Sequence, residues 1–215
     1  MKLVIIDYGA GNVKSVYNAV SKIAENNLPA IEIMVSKNLN DIKSANYFIL
    51  PGVGAFGDCM KALSLIDGFL PELRNQILNY KKPFLGICVG MQVLATIGFE
   101  NGENQGLGYI NGKVEKIVNN LRIPQMGWNN LIIKEPNHHI LKNIQPASDV
   151  YFANSYHFIA QNENNVIAYV DYGIKINSII TKENIVGLQF HPEKSGEFGL
   201  QFLKNFLNWR PKILS

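Results

Sequence analysis

The residues of this chain best suited to chemistry lie in Phe84-Leu85-Gly86-Ile87-Cys88-Val89-Gly90-Met91-Gln92. An apolar run that suits a buried strand leads straight into Gly-x-Cys-x-Gly and then into helical spacing. This is the cysteine form of a nucleophile elbow, where the reactive residue sits on a sharp, strained strand-to-helix turn. Residues two before and two after the nucleophile pass close to it, so Gly86 and Gly90 must lack a Cβ. The turn puts the Cys88 sulfur near a helix N-terminus, where the dipole favours thiolate, and aims the Val89 amide at a reacting carbonyl. An isolated cysteine at a strand end is more often a passive buried thiol. The paired glycines and the strand–turn–helix context argue for a nucleophile instead.

A base for that thiol is offered by Gln189-Phe190-His191-Pro192-Glu193-Lys194-Ser195. In extended chain, residues i and i+2 face the same way, roughly 6–7 Å apart. Pro192 fixes its own φ and biases His191 towards extended geometry. Glu193 can then accept a hydrogen bond from the imidazole, setting its tautomer and turning the other nitrogen towards a nucleophile. Alone, the pair would equally suit a solvated surface; beside the cysteine elbow it reads as catalytic. A third segment, Leu50-Pro51-Gly52-Val53-Gly54-Ala55-Phe56-Gly57, follows an apolar run. Backbone so free of side chains can present an N–H to an oxyanion, the alternative being a flexible connector.

Other segments carry less. Asp7-Tyr8-Gly9-Ala10-Gly11-Asn12 lacks the third glycine of a dinucleotide loop, because position 14 is Lys14. His138-His139 has no ligand spacing, so no metal site is expected. His157 fits either a structural place or one beside the site, and Cys59, in a helical stretch, reads as a passive thiol.

In their order these motifs resemble the class I (triad-type) glutamine amidotransferases, and the likeness runs along nearly the whole chain. Within that family it is greatest to the glutaminase subunits of histidine biosynthesis, through Ile6-Asp7-Tyr8-Gly9-Ala10-Gly11-Asn12, the segments around Gly52, Cys88 and His191, Met126-Gly127-Trp128-Asn129 and Asp171-Tyr172-Gly173. The resemblance implies Cys88 as nucleophile, His191 as general base and then acid, and Glu193 as its orienting partner. It implies oxyanion donors from the backbone of Val53 and Val89, and a glutamine pocket lined by Gly52, Gln92, Ser155 and Tyr156. Asn12, Trp128, Tyr151 and Lys194 fall where the family contacts a (β/α)8-barrel cyclase. In that heterodimer the cyclase consumes the ammonia and makes imidazole glycerol phosphate and AICAR. No cofactor and no metal are implied.

Two positions depart from the family's usual pattern. Pro124-Gln125-Met126-Gly127-Trp128-Asn129 has Gln125 where the family has His, and Asn154 replaces a His before the Ser155-Tyr156 pair. Both are expected on the side facing the partner. They leave the triad intact but keep a second acceptor pathway open, the amidation of nucleotide sugars in surface-polysaccharide synthesis. A stand-alone cysteine hydrolase is disfavoured by Gln92 and by Pro51-Gly52-Val53-Gly54. A non-catalytic binding module is disfavoured by the presence of all three triad residues.

The elements that must hold these residues follow from hydrophobic patterning. Leu3–Ile6, Ile31–Val35, Tyr47–Leu50 and Phe84–Cys88 read as strands, alternating with helical stretches from Val13 to Ile23, Leu63 to Leu78 (interrupted near Pro71) and Val89–Thr96. This βα alternation predicts an open, mostly parallel twisted α/β sheet with helices on both faces. In the second half Asn111–Val118, Asn130–Lys134, Asp149–Ala153, Val166–Tyr169, Ile174–Thr181 and Ile185–Phe190 read as short strands, partly antiparallel. Phe198 to Trp209 reads as a closing amphipathic helix. No linker divides the chain, so residues 1–215 are expected to form one domain, with the acceptor chemistry supplied in trans.

Composition sets the outer bounds. The 215 residues are 47% hydrophobic and 17% charged, which excludes intrinsic disorder. The formal net charge is +3 and Lys81-Lys82 is the only adjacent basic pair, so no nucleic-acid footprint is present. No apolar run approaches the ~18 residues of a membrane span, and the N-terminus lacks the pattern of a signal peptide. Two cysteines, Cys59 and Cys88, suit a reducing, cytoplasmic setting better than a disulfide framework.

Overall fold

Three apolar runs of the first half become inner strands of one large sheet, as their burial on both faces requires, while Ile31–Val35 supplies a half-exposed edge strand. The computed structural model describes residues 1–27, 31–146 and 148–211. Its first half runs β1 (Lys2–Ile6), α1 (Val13–Asn27), β2 (Glu32–Ser36), α2 (Leu39–Ser44), β3 (Tyr47–Gly52), α3 (Phe56–Ser64), α4 (Phe69–Arg74), β4 (Phe84–Cys88) and α5 (Val89–Gln92). The second half adds β5 (Ile97–Gly98), β6 (Asn104–Gln105), β7 (Gly112–Lys116), β8 (Gln125–Asn130), β9 (Ile132–Ile133), β10 (Asp149–Asn154), β11 (Tyr156–Ala160), β12 (Val166–Asp171), β13 (Lys175–Lys182), β14 (Ile185–Leu188) and α6 (Gly196–Asn208).

Eight strands form the main sheet in the order β2-β1-β3-β4-β14-β13-β12-β9. Pairing is parallel from β2 through β14 and antiparallel beyond. This is the open, mostly parallel α/β sheet that the patterning predicts. A four-stranded sheet, β11-β7-β5-β6, packs on it through β11 and β13, and β8 with β10 makes a separate antiparallel ribbon. Helix α6 closes the core by burying Phe202, Leu203, Phe206 and Leu207, with the Phe202 and Phe190 rings 5.1 Å apart.

Several predicted elements differ. The helical stretch breaks at Gly68, not at Pro71: Gly68 takes the left-handed φ of 67°, and Pro71 sits in the first turn of α4, where a missing N–H costs no intrahelical bond. The helix after Cys88 stops at Gln92 instead of reaching Thr96. The carbonyls of Val93, Leu94, Ala95 and Thr96 accept amides from Leu107, Ile110, Gly108 and Gly106, so the chain there is pinned by a distant segment. The predicted strand Asn130–Lys134 contracts to β9. Four strands escape prediction, the two-residue β5 and β6 and the longer β8 and β11. In β8 the apolar residues Met126 and Trp128 face outward, inverting the usual alternation, and only Ser155 separates β11 from β10.

Candidate active site

Cys88 is the last residue of β4, at the carboxyl end of a strand held between β3 and β14. Its backbone has φ 54° and ψ −112°, a conformation that L-residues rarely hold and that marks stored strain. Three glycines make it possible. A Cβ on Gly86 would lie 2.3 Å from the Gly90 carbonyl oxygen. One on Gly90 would lie 1.9 Å from the Leu50 carbonyl oxygen, and one on Gly52 2.4 Å from the Gly90 nitrogen. Strand β3, which carries Gly52 opposite Cys88, is therefore pressed directly onto the elbow. Helix α5 has only four residues, so the helix-dipole support expected for the sulfur is that of a single turn. Val89 opens that turn, which leaves its N–H without an intrahelical acceptor.

His191 lies beyond the end of β14 and is 4% exposed. The expected extended His-Pro-Glu geometry is not what brings Glu193 to it. Pro192–Lys194 form a 3-10 turn with proline in its first position, and this turn folds the carboxylate back to 2.9 Å from His191 Nδ1. The Lys194 and Ser195 amides close the turn on the His191 and Pro192 carbonyls. The Ser195 hydroxyl donates to the His191 carbonyl at 2.6 Å and accepts from the Tyr151 amide at 3.0 Å, which ties the loop to β10.

Cys88 and His191 line the same cleft, and the thiol acts on the imidazole there. Burial pushes the His191 pKa down. The hydrogen bonds to Cys88 and Glu193, and their charges, overcome this and raise it to about 9. Asn12 does not stand free at the surface: its side-chain amide donates to Glu193 Oε1 at 3.4 Å, and the second carboxylate oxygen is buried without a partner.

These groups open on a cleft of about 460 Å3. Val53, Val89, Gln92, Ser155, Tyr156 and Lys194 line it together with Cys88 and His191, so most of the residues singled out in the sequence converge here. Gly52 forms the backbone behind the elbow, and Glu193 stands behind His191. Sequence reasoning missed Glu100, which lines the cleft while one carboxylate oxygen accepts the Phe56 amide at 2.8 Å. It also missed the Gln189 side chain, fully buried, whose Nε2 lies 3.9 Å from Cys88 Sγ. Neither carries a local signal, since each reaches the site through tertiary packing.

Beside the cleft the outer face of the β8–β10 ribbon exposes Met126 and Trp128. The Trp128 ring stands edge-on to Tyr151 at 5.9 Å, and Lys194 Nζ sits 5.8 Å from the Tyr151 ring centroid. Gln125 and Asn154, the two departures from the family pattern, occupy directly opposed positions on this ribbon. Both are buried rather than outward-facing, and each has a side-chain oxygen without a partner. Cys59 lies outside the cleft residues, on the buried face of α3 against Tyr8, and burial pushes its thiol up to about 11. His157 is buried in β11, where desolvation lowers its pKa.

Residues 4–209 match the family model for class-I glutamine amidotransferases. The chain belongs to this family. Among curated relatives, it is 44% identical to the imidazole glycerol phosphate synthase subunit HisH of Rhodospirillum rubrum, over 98% of this chain and 100% of that one. The proteins of the same name from Zymomonas mobilis and Pelagibacter ubique are 43% and 42% identical, over 96% and 97% of this chain and 95% and 100% of theirs. Among solved structures, one described as a glutamine amidotransferase superposes with a TM-score of 0.73 at 17% identity, covering 95% of this chain and 98% of its own. PurLQS from Thermotoga maritima follows at 0.70 and 17%, covering 96% and 97%. At such identity these two report the shared fold. Among the described residues no helix is long and apolar enough to cross a membrane.

Proposed function

We propose that this chain is a single-domain, cytoplasmic glutaminase subunit that hydrolyses L-glutamine and passes the ammonia to a (β/α)8-barrel cyclase, as part of an imidazole glycerol phosphate synthase. The observation that carries the chemistry is the buried chain of contacts from Cys88 through His191 to Glu193 at the wall of a cleft large enough for an amino acid. The pathway is supported by the subunit names of the relatives, which the chain matches over nearly full length.

His191 takes the Cys88 proton, and the thiolate adds to the side-chain amide carbon of glutamine. The Val53 and Val89 amides hold the resulting oxyanion, each worth on the order of 10²–10³ in rate. The imidazolium returns its proton to the departing nitrogen, the C–N bond breaks, and ammonia leaves with the γ-glutamyl thioester on Cys88. Water then loses a proton to His191 and adds to the thioester; the C–S bond breaks and glutamate is released. Gln92, Ser155 and Tyr156 grip the substrate. Glu100 offers the cleft a carboxylate suited to the α-ammonium group. The exposed Trp128–Tyr151–Lys194 cluster adjoins the cleft, which is where a partner that receives ammonia must dock.

The paired replacement at Gln125 and Asn154 favours a second reading of the acceptor, a nucleotide-sugar amidotransferase. Co-purification decides between them. A histidine-pathway cyclase retained on the tagged chain supports the first reading, a sugar amidotransferase the second. Absence of glutamate formation with either partner would overturn both.

A further inference from the structure

Cys88 Sγ has a second polar neighbour besides His191, the side-chain amide of Gln189, and the fold leaves that amide only one orientation. The Tyr156 carbonyl can only accept, so the Gln92 atom 2.9 Å from it must be Nε2. The same Nε2 lies 3.1 Å from the Gln189 side chain, which fixes the facing atom there as Oε1. The remaining Gln189 atom, Nε2, is thereby turned to the sulfur at 3.9 Å. A backbone carbonyl thus sets the polarity of two buried amides in series, and the series ends in an N–H donor at the nucleophile. Gln189 is itself fully buried, with its backbone amide held by the Ser178 carbonyl at 2.9 Å, so the donor is fixed from both ends.

We propose that Gln189 is a positioning residue for the thiolate. Its N–H supplies a hydrogen bond that strengthens when Cys88 ionises, favouring thiolate and holding Sγ in line with the cleft. It takes no proton and touches no substrate. The inference rests on Cys88 being the nucleophile, and the first arm of the test is kept separate for that reason.

Hydrogen bonds to charged groups contribute about 1.5–3 kcal/mol, and 1.36 kcal/mol corresponds to one pH unit. Gln189→Met, similar in length but without a donor, should therefore move the pH midpoint of Cys88 alkylation by iodoacetamide upward by about one unit. The alkylation rate should fall roughly tenfold at pH values below the wild-type midpoint. Gln189→Glu, which keeps an oxygen for Gln92 but puts a carboxylate by the sulfur, should move the midpoint further. Restoration of a side-chain amide in Gln189→Asn should recover part of the shift. In the wild-type protein, the Gln189 side-chain NH2 resonance should titrate with thiolate formation, a readout independent of any variant folding. Wild-type labelling confined to Cys88 establishes the nucleophile; labelling elsewhere overturns that premise. An unchanged midpoint in Gln189→Met and Gln189→Glu, or a Gln189 resonance indifferent to the thiolate, overturns the role of Gln189.

Discussion

Replacing Glu193 by Gln isolates the charge behind His191 while keeping its shape. Glu193 Oε1 accepts from both His191 Nδ1 and the Asn12 amide, so the carbonyl oxygen of a glutamine is held at that position by two donors. The imidazole therefore keeps the tautomer that presents Nε2 to Cys88, and what is lost is the negative charge. The scale of that loss follows from the rise of the His191 pKa from 6.5 to about 9, which Glu193 shares with Cys88. The rise amounts to about 3 kcal/mol of preference for the imidazolium, or on the order of 300-fold. Glu193→Gln should lower kcat for glutamate formation by a factor of up to a few hundred, well short of Cys88→Ala. The new NH2 group falls where the second carboxylate oxygen is buried without a partner, so the variant should also lose about 1–3 kcal/mol of stability. Steady-state glutaminase assays on the complex, with thermal unfolding alongside, measure both. A loss as large as that of Cys88→Ala, or none beyond twofold, would refute the role of the charge.

Three further outcomes are expected. Cys88→Ser should abolish glutamine-dependent synthesis in the complex but leave synthesis from added ammonium salt intact, whereas Cys59→Ser, whose thiol lies outside the cleft, should affect neither; product formation from each nitrogen source checks this. The raised His191 pKa contributes stability that is fully present below pH 6.5 and lost as pH climbs through about 9; the melting temperature of the wild type should fall across that window relative to His191→Asn, and parallel curves would contradict it. Gly90→Ala, with a Cβ 1.9 Å from a backbone oxygen, should cost roughly 4 kcal/mol or more, whereas Gly54→Ala, in open space but at φ 86°, should cost about 1 kcal/mol; thermal denaturation ranks the two.

What the sequence reveals about this site is what short-range geometry dictates. The elbow is legible because Gly86 and Gly90 must sit two residues from a nucleophile on a tight turn, and because Phe84–Cys88 is apolar enough to be buried on both faces. His191 and Glu193 are legible as a pair, although the 3-10 turn that joins them is not, because the bias of Pro192 admits both extended and turn continuations. The short α5 is illegible: its length is set by the amides of Gly106, Leu107, Gly108 and Ile110, which claim from outside the carbonyls of Val93, Leu94, Ala95 and Thr96 that would continue it. Strand β8 is hidden because its Met126 and Trp128 face outward, contrary to the rule used to find strands. Gln189 and Glu100 are ordinary polar residues until packing places them.

The two halves of the cleft differ in stiffness, and this bears on when the enzyme works. The nucleophile side is locked: Gly52, Gly86 and Gly90 interleave with no room for a Cβ, and His191 is tied through Ser195 to β10. The opposing side is loose. Val53 is 41% exposed, and Gly54, at φ 86°, has nothing within 4 Å of where a Cβ would stand. An oxyanion hole needs the Val53 N–H in one orientation, yet its glycine neighbours make several accessible at low steric cost. The same loop packs against residues 8–12, where a Cβ on Gly11 would meet the Pro51 carbonyl oxygen at 3.1 Å, and Asn12 reaches Glu193. A partner seated on Trp128, Tyr151 and Lys194 would rest on the locked side and reach the compliant one across the cleft that Lys194 lines together with Val53 and Gly54. A bias of about 1–3 kcal/mol, the usual scale of coupling between sites, would raise turnover by about 5- to 150-fold. The free chain should therefore hydrolyse glutamine slowly, and the complex with an occupied acceptor site much faster, with the gain in kcat rather than in KM. Full activity in the free chain, unmoved by partner and acceptor ligand, would show that the loop is already set.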